Sequence, residues 1–282
     1  MLSDADRKKA AELLLTAERE RKPVVQLSKT WPDITIEDAY AIQSIVTATK
    51  VAAGAKIRGH KVGLTSKAMQ LSSQIDEPDY GHLLDNMFYD DGVKLPHDMF
   101  CVPRVELELG FVLGQPLKGP GVGLLDVMRA TEWVVPSIEI IDARVQNPRK
   151  IFDTVSDNGA AAAVVLGGRP VRPTDVDLRW VPGLMYRNES IEESGVSAAV
   201  LGHPALGIAW LANKVGQFGT VLEPGHFTLS GSFIRPVWAN KGDTLRADFG
   251  PLGKPHPQLP AVLGEMVGWL DRYLRQAPGD RP

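Results

Sequence analysis

Glu106 and Glu108 are the residues best suited to chemistry in this 282-residue sequence. They stand two apart in Arg104-Val105-Glu106-Leu107-Glu108-Leu109-Gly110-Phe111-Val112-Leu113, and an extended chain points positions i and i+2 to one face. The two carboxylates therefore share a face, while Val105, Leu107, Leu109 and Phe111 share the other. So apolar a strand is expected near the centre of a sheet, where unpaired carboxylates repel each other and resist burial. A hard divalent cation between them relieves both costs, because such ions take oxygen ligands. Two ordinary acids on a solvated strand face are the alternative. A third acid, Glu139, interrupts the apolar stretch Val134-Val135-Pro136-Ser137-Ile138-Glu139-Ile140-Ile141-Asp142 and has the same burial problem. It can pair with Arg144 or Arg104, or complete an all-oxygen cation site with Glu106 and Glu108.

Two other segments carry candidate groups. Gly59-His60-Lys61-Val62-Gly63-Leu64-Thr65 reads as a short strand with glycines on both sides of a lysine. Glycine permits close approach of backbone or ligand, so Lys61 is either a cation facing a site or a surface lysine. Asp76-Glu77-Pro78-Asp79-Tyr80-Gly81 reads as a turn cluster, a solvated loop unless one of its acids is catalytic.

The elements that must position these residues follow from pattern and capping. Ser3 caps a helix running to about Arg21, with Asp4 and Asp6 at its positive end. Thr35-Ile36-Glu37-Asp38 resembles a capping box and opens a second helix, Ile36 to about Ala53, ended by Gly54. Ser66 to Gln74 is a short helix, and Leu124 to Thr131 another. Phe152 to Gly159 is expected as a polar turn leading into the small-residue strand Ala160 to Gly168. From Asp177 the pattern is β: Trp180–Tyr186 and Ile191–Val196 form a hairpin about Asn188. One helix, Pro204 to Val215, interrupts before strands at Phe227–Ser232 and Thr244–Phe249. The reading is an α+β protein: a helical N-terminal appendage over 1–55, a β-rich core over 56–253, and a helical extension over 254–282 with Leu263, Met266, Val267, Leu270 and Leu274 at helical spacing.

Composition excludes several classes. A net charge of -3 and a pI near 6.1 leave no electrostatic footprint for nucleic acid or an anionic membrane. The single cysteine, Cys101, rules out an internal disulfide, and six scattered histidines offer no zinc spacing. The N-terminus is charged and helix-periodic, unlike a signal peptide, and no apolar run reaches the length of a membrane span. A cytoplasmic protein is the expectation. Gly167-Gly168 is not followed by a nucleotide fingerprint.

With these residues in hand the sequence resembles a known family. Gly59 to Gln70, Glu77 to Gly81, Pro103 to Glu108, Glu139 to Arg144, Phe152 to Asn158, Glu192 to Val196 and Gly231-Ser232-Phe233 are similar, in order, to the 2-oxo-hept-3-ene-1,7-dioate hydratases. These sit in the hydratase/decarboxylase branch of the fumarylacetoacetate hydrolase superfamily. The resemblance implies a mixed β-roll or barrel-like core holding magnesium or manganese. It implies Glu106, Glu108 and Glu139 as metal ligands, Lys61 and Asp79 as the active-site lysine and acid, and Lys61, Ser156, Ser232 and the backbone around Leu84 as substrate contacts. Hydrolases of the superfamily add an aspartate to the ligand set, and the glutamate here favours the hydratase/decarboxylase branch. The chain departs from the family after Gly250-Pro251-Leu252-Gly253, where relatives form a final strand and this sequence continues with Lys254-Pro255-His256-Pro257.

The implied activity is hydration of a 2-oxo-3-enoate formed from a 2-hydroxydienoate in aromatic meta-cleavage catabolism. The expected conversion takes 2-oxo-hept-3-ene-1,7-dioate to 4-hydroxy-2-oxoheptanedioate, by a homo-oligomer of pentameric rings or decamers associated with a pathway decarboxylase. Hydration of 2-hydroxypenta-2,4-dienoate and decarboxylation of 4-oxalocrotonate are the alternatives that share this site. Acylpyruvate carbon–carbon hydrolysis would need a histidine base from His60, His82 or His203, and a non-catalytic accessory subunit would need no intact acid triad. The distal carboxylate of a diacid requires a cation such as Arg144, Arg149 or Lys150.

Overall fold

The computed structural model describes residues 1–253, apart from Gln74 and Asp76. The helix expected over Leu259 to Leu274 lies outside the described residues. No described helix is long and apolar enough to cross a membrane.

Helix α1 (Asp4–Glu20) is capped by Ser3, whose hydroxyl accepts from the Asp6 amide. A short α2 (Leu27–Thr30), not expected from the sequence, precedes α3 (Ile36–Ala52). The capping box of α3 forms: Thr35 accepts from Asp38 N–H, and the Asp38 carboxylate accepts from Thr35 N–H. Ala10, Leu14, Leu27, Ile42 and Val46 make a local apolar core with Val145 of the sheet body.

The body is built from β1 (Ile57–Gly63), α4 (Lys67–Ser73), β2 (Asp79–Leu84), β3 (Phe88–Asp90), β4 (Arg104–Leu113), α5 (Leu124–Ala130), β5 (Thr131–Ile141), α6 (Ile151–Ser156), β6 (Ala161–Leu166), β7 (Pro182–Arg187), β8 (Ser190–Val196), α7 (Ala205–Gly216), β9 (Phe227–Leu229), β10 (Val237–Trp238) and β11 (Leu245–Asp248). A curled half-barrel sheet runs β2-β1-β9-β4-β5-β6-β3, with β10 also on β4; β11-β7-β8 form a second, smaller sheet. The large sheet is mixed: β1 with β9 and β3 with β6 are parallel, and the other pairs are antiparallel.

Strand β4 is central, as its apolar content requires, and its two faces meet different cores. Val105, Leu107, Leu109 and Phe111 pack with Val127 of α5, Ile208 and Leu211 of α7, and Met185 of β7. The opposite face carries Glu106 and Glu108 and, further along, Val112, which packs with Val135, Val164, Leu166, Phe227 and Leu229. The acids therefore share their face with a buried apolar cluster.

Two local expectations are corrected. Asp79 does not lie in a solvated turn but begins β2, and it is buried. Phe152 to Gly159 is not a polar turn; Ile151–Ser156 is helical, a 3-10 turn Asn158–Ala160 follows, and Asp153, Ser156, Asp157 and Asn158 are all buried. In both cases polarity suggested solvent, while tertiary hydrogen bonds met the polar groups inside. Asp153, for example, accepts from the Ser28 amide and hydroxyl.

A candidate metal centre

Register assembles the site. Antiparallel pairing of β4 with β5 puts Glu106 directly opposite Glu139 and Glu108 opposite Ser137. Like charges in facing positions destabilise a sheet, so this pairing costs free energy unless protons or a cation intervene. Leu229 of β9 pairs with Gly110 of β4 and with Lys61 of β1, and Lys61 pairs with Gly81 of β2. Paired residues share a face, so Lys61 emerges on the acid side. Gly63 pairs with Asp79, which brings that carboxylate to the same side.

One carboxylate oxygen from each of Glu106, Glu108 and Glu139 lies within 4.8 Å of the others. Glu139 is 0% exposed, and among the described residues neither of its oxygens has a hydrogen-bond partner. Its cationic neighbour is Lys61, whose Nζ stands 3.4 Å from Oε2 and also donates to the Gly159 carbonyl at 3.1 Å. Glu108 accepts from the Gly231 amide at 2.7 Å. A Cβ at Gly63 would sit 2.2 Å from Asp79 Oδ1 and 3.5 Å from Lys61 Nζ, so the missing side chain makes room for both groups. Arg144 does not serve Glu139. It is committed to Asp157, with Nε on Oδ1 at 2.5 Å and its own amide on Oδ2 at 2.8 Å. That commitment also removes Arg144 as the cation for a distal carboxylate.

Four carboxyl groups, three of them buried, thus face one buried ammonium. Burial, followed by repulsion from Glu139, raises Glu106 to about 7 and Glu108 well above the ordinary range. Glu139 and Asp79 are raised by burial against the pull of Lys61. Burial alone would lower Lys61, but Glu139, Asp79, Glu106 and Glu108 together hold it above its usual value. Lys61 is therefore a fixed cation near neutral pH. The three glutamates fit a divalent ion on this structure's own terms: all-oxygen donors, converging atoms, and a buried carboxylate that among the described residues has an ion pair but no hydrogen bond.

A proton-linked metal affinity follows. A carboxyl group raised in the folded protein stabilises it below the unfolded value of 4.5, and that contribution is lost as pH rises through the folded value, about 7 for Glu106. The metal-free cluster thus holds protons that a cation must displace. Magnesium affinity is expected to rise from pH 6 to pH 8, with roughly one proton released per ion at pH 6 and fewer at pH 8. Calorimetry in buffers of different ionisation enthalpy measures this; pH-independent affinity without proton release would contradict it.

The remaining expected contacts are placed less uniformly. Ser156 ends α6 with its hydroxyl buried and, among the described residues, unpartnered. Ser232 follows the Gly231 amide that meets Glu108, but its own hydroxyl is turned locally to the Ile234 carbonyl at 2.9 Å. Leu84 lies at the far end of β2 from Asp79, in the apolar cluster, with its amide on the Met87 sulfur at 3.4 Å. His60 and His82 pair across β1 and β2 on the face opposite the acids, their rings 5.1 Å apart. Burial lowers His60 well below its usual value and His82 to about 4, so both are neutral and turned away from the acids. Sequence reasoning assigned no role to the Gly231 amide or the Gly159 carbonyl. Their signal was the turn chemistry of Ser230-Gly231-Ser232 and Asn158-Gly159.

No protein-family model matches the chain. Among curated proteins, a 2-oxo-hept-4-ene-1,7-dioate hydratase of Escherichia coli is 55% identical over 250 residues, 86% of this chain and 94% of the relative. A 2-keto-4-pentenoate hydratase of Paraburkholderia xenovorans is 36% identical over 253 residues, 89% of this chain and 94% of the relative. Among solved structures, 4-oxalocrotonate decarboxylase from Pseudomonas putida G7, complexed with magnesium and adipate, superposes with a TM-score of 0.88 at 33% identity, covering 90% of this chain and 97% of that one. With the fold, the acid triad and these likenesses in agreement, the chain belongs to the hydratase/decarboxylase branch of the fumarylacetoacetate hydrolase superfamily.

Proposed function

We propose that this protein is a metal-dependent hydratase acting on a seven-carbon 2-hydroxydienedioate and yielding 4-hydroxy-2-oxoheptanedioate. The observation that carries the reading is the convergence of Glu106, Glu108 and Glu139 beside the Lys61 ammonium. The diacid is favoured over a five-carbon monoacid by identity of 55% to the dioate hydratase against 36% to the pentenoate hydratase. Magnesium is the proposed ion, with manganese as the alternative; the magnesium bound by the similar decarboxylase supports that choice.

Glu106, Glu108 and Glu139 hold the ion, which when bound supplies Lewis acidity toward the oxygens of a 2-oxo acid. The organic steps are proton transfers and one addition. Protonation of the dienol at C3 gives the 4-ene ketone named for the Escherichia coli relative, and protonation at C5 gives the conjugated 3-ene. Water oxygen then bonds C4 of the conjugated form, and a proton is delivered to C3. Asp79, buried and raised, suits the proton-relay role, since an acid–base group works best with its pKa near the working pH. Lys61 is held charged and serves as the fixed positive group facing a carboxylate or a developing enolate oxygen.

Loss of carbon dioxide from a 2-oxo-3-enedioate is the second reading, favoured by the TM-score of 0.88 to the decarboxylase. It leaves the same electron pair to be stabilised. Incubating the five-carbon monoacid and seven-carbon diacid dienols with and without magnesium, with absorbance and product analysis, separates the readings. Metal-dependent water addition to the diacid is expected; carbon dioxide release from 4-oxalocrotonate without hydration of either dienol would replace hydratase by decarboxylase. A homo-oligomer, a cytoplasmic setting and the three-part division of the chain belong to the same proposal, supported by the resemblance.

A further inference from the structure

Among the described residues, strand β2 is an edge of the large sheet, and its outward amides and carbonyls have no strand neighbour there. At His82 a side chain fills that place. Asn158 Oδ1 accepts from the His82 amide at 2.7 Å, and Asn158 Nδ2 donates to the His82 carbonyl at 2.9 Å. The clamp anchors an unusual turn. Asn158, Gly159 and Ala160 all have left-handed backbone, with φ of 56°, 61° and 58°, a conformation open to glycine and tolerated by asparagine but strained for Ala160. Arg144 braces the turn from the other side, donating to the Asp157 carbonyl at 2.7 Å and the Ala161 carbonyl at 3.1 Å.

What the turn presents is the Gly159 carbonyl, which accepts from Lys61 Nζ. Contact is close along the whole side chain: a Cβ on Gly159 would stand 3.1 Å from Lys61 Cδ. Gly81, the strand partner of Lys61, admits the turn, since a Cβ there would lie 2.3 Å from the Asn158 carbonyl oxygen. We propose that Asn158 is a positioning residue: its amide docks the left-handed turn on β2 and thereby sets Lys61 Nζ against Glu139. The inference rests on the reading of Lys61 as part of the active site, yet Asn158 itself touches none of the acids in the set described above.

Asn158→Gly keeps the left-handed backbone and deletes only the clamp. Measured with the proposed diacid dienol and magnesium, it is expected to lower kcat by about 10- to 100-fold, with magnesium affinity rising as Lys61 leaves Glu139, by no more than the roughly tenfold expected on removing the Lys61 charge. The same change in a Lys61→Met background is expected to cost less than about twofold, because a residue acting through Lys61 has nothing left to position. A crystal structure of Asn158→Gly should show Lys61 Nζ displaced from the Gly159 carbonyl and from Glu139. Equal losses in both backgrounds, or Lys61 unmoved in the crystal, overturn the positioning role. If Lys61→Met alone retains wild-type turnover, the reading of Lys61 fails first and takes the inference with it. If the wild type hydrates neither dienol, the crystal structure still decides the positioning.

Discussion

Lys61→Met is expected to lower kcat for hydration by about 1,000-fold, within the usual range for loss of a positioned acid–base or charge-stabilising group. Its sharper consequence is for the metal. Lys61 is the cation set among four carboxyl groups and lies 3.4 Å from one proposed ligand. Removing it leaves the negative charge less compensated, so a divalent ion should bind more tightly. The bare Coulomb gain is large at an effective dielectric near 20. Much of it is offset because the metal-free variant takes up an extra proton on the raised glutamates. A net increase of about tenfold in magnesium affinity is the expected result. Calorimetric titration of wild type and variant at one pH decides the point. Weaker binding together with lost turnover would mean that Lys61 is a structural prop for Glu139, not a separate charge.

Glu108→Gln has the second large effect, in the opposite direction for the metal. The amide is nearly isosteric, and its carbonyl oxygen can still accept from the Gly231 amide. Burial and Glu139 raise Glu108 well above the ordinary carboxyl range, so a neutral amide there removes a charge that the buried site disfavours. Metal-free stability should therefore change little, by about 1 kcal/mol or less, the scale of one hydrogen bond. Magnesium affinity should fall by at least about 100-fold, since even losing a group that only hydrogen-bonds a metal ligand costs about 10- to 100-fold. Wild type at 100 times its Kd for magnesium gains about 2.7 kcal/mol of stability by mass action. The variant at the same concentration should gain at most about 0.4 kcal/mol and show no detectable hydration. Thermal melts with and without magnesium test both halves. A variant that kept the wild-type shift would remove Glu108 from the ligand set.

The two variants separate charge from ligation. They rest on particular features that differed in how far sequence revealed them. The alternation in β4 was legible because a strand has a period of two, so the shared face of Glu106 and Glu108 needed only their spacing. The caps at Ser3 and Thr35 were equally local, since each bond closes within three residues. Asp79 and the Phe152–Gly159 stretch were misplaced because composition alone does not distinguish a polar group in water from one satisfied by a distant partner. The partners of Asp153, Asn158 and Lys61 are 125, 76 and 98 residues away in sequence, at Ser28, His82 and Gly159.

By itself the sequence determined the residue types, the faces within each strand, most helix starts and the family to which the chain is similar. These depend on local geometry and on motifs in order. Tertiary structure decided the register that sets Glu106 opposite Glu139. It also decided which cation each acid meets: Lys61 for Glu139, Arg144 for Asp157. The physical reason is that a one-residue slip of β5 would turn Glu139 to the other face. Only packing of both cores against β4 forbids that slip, and the requirement for a cation at Glu106 and Glu108 became a site only when the third carboxylate arrived across the sheet.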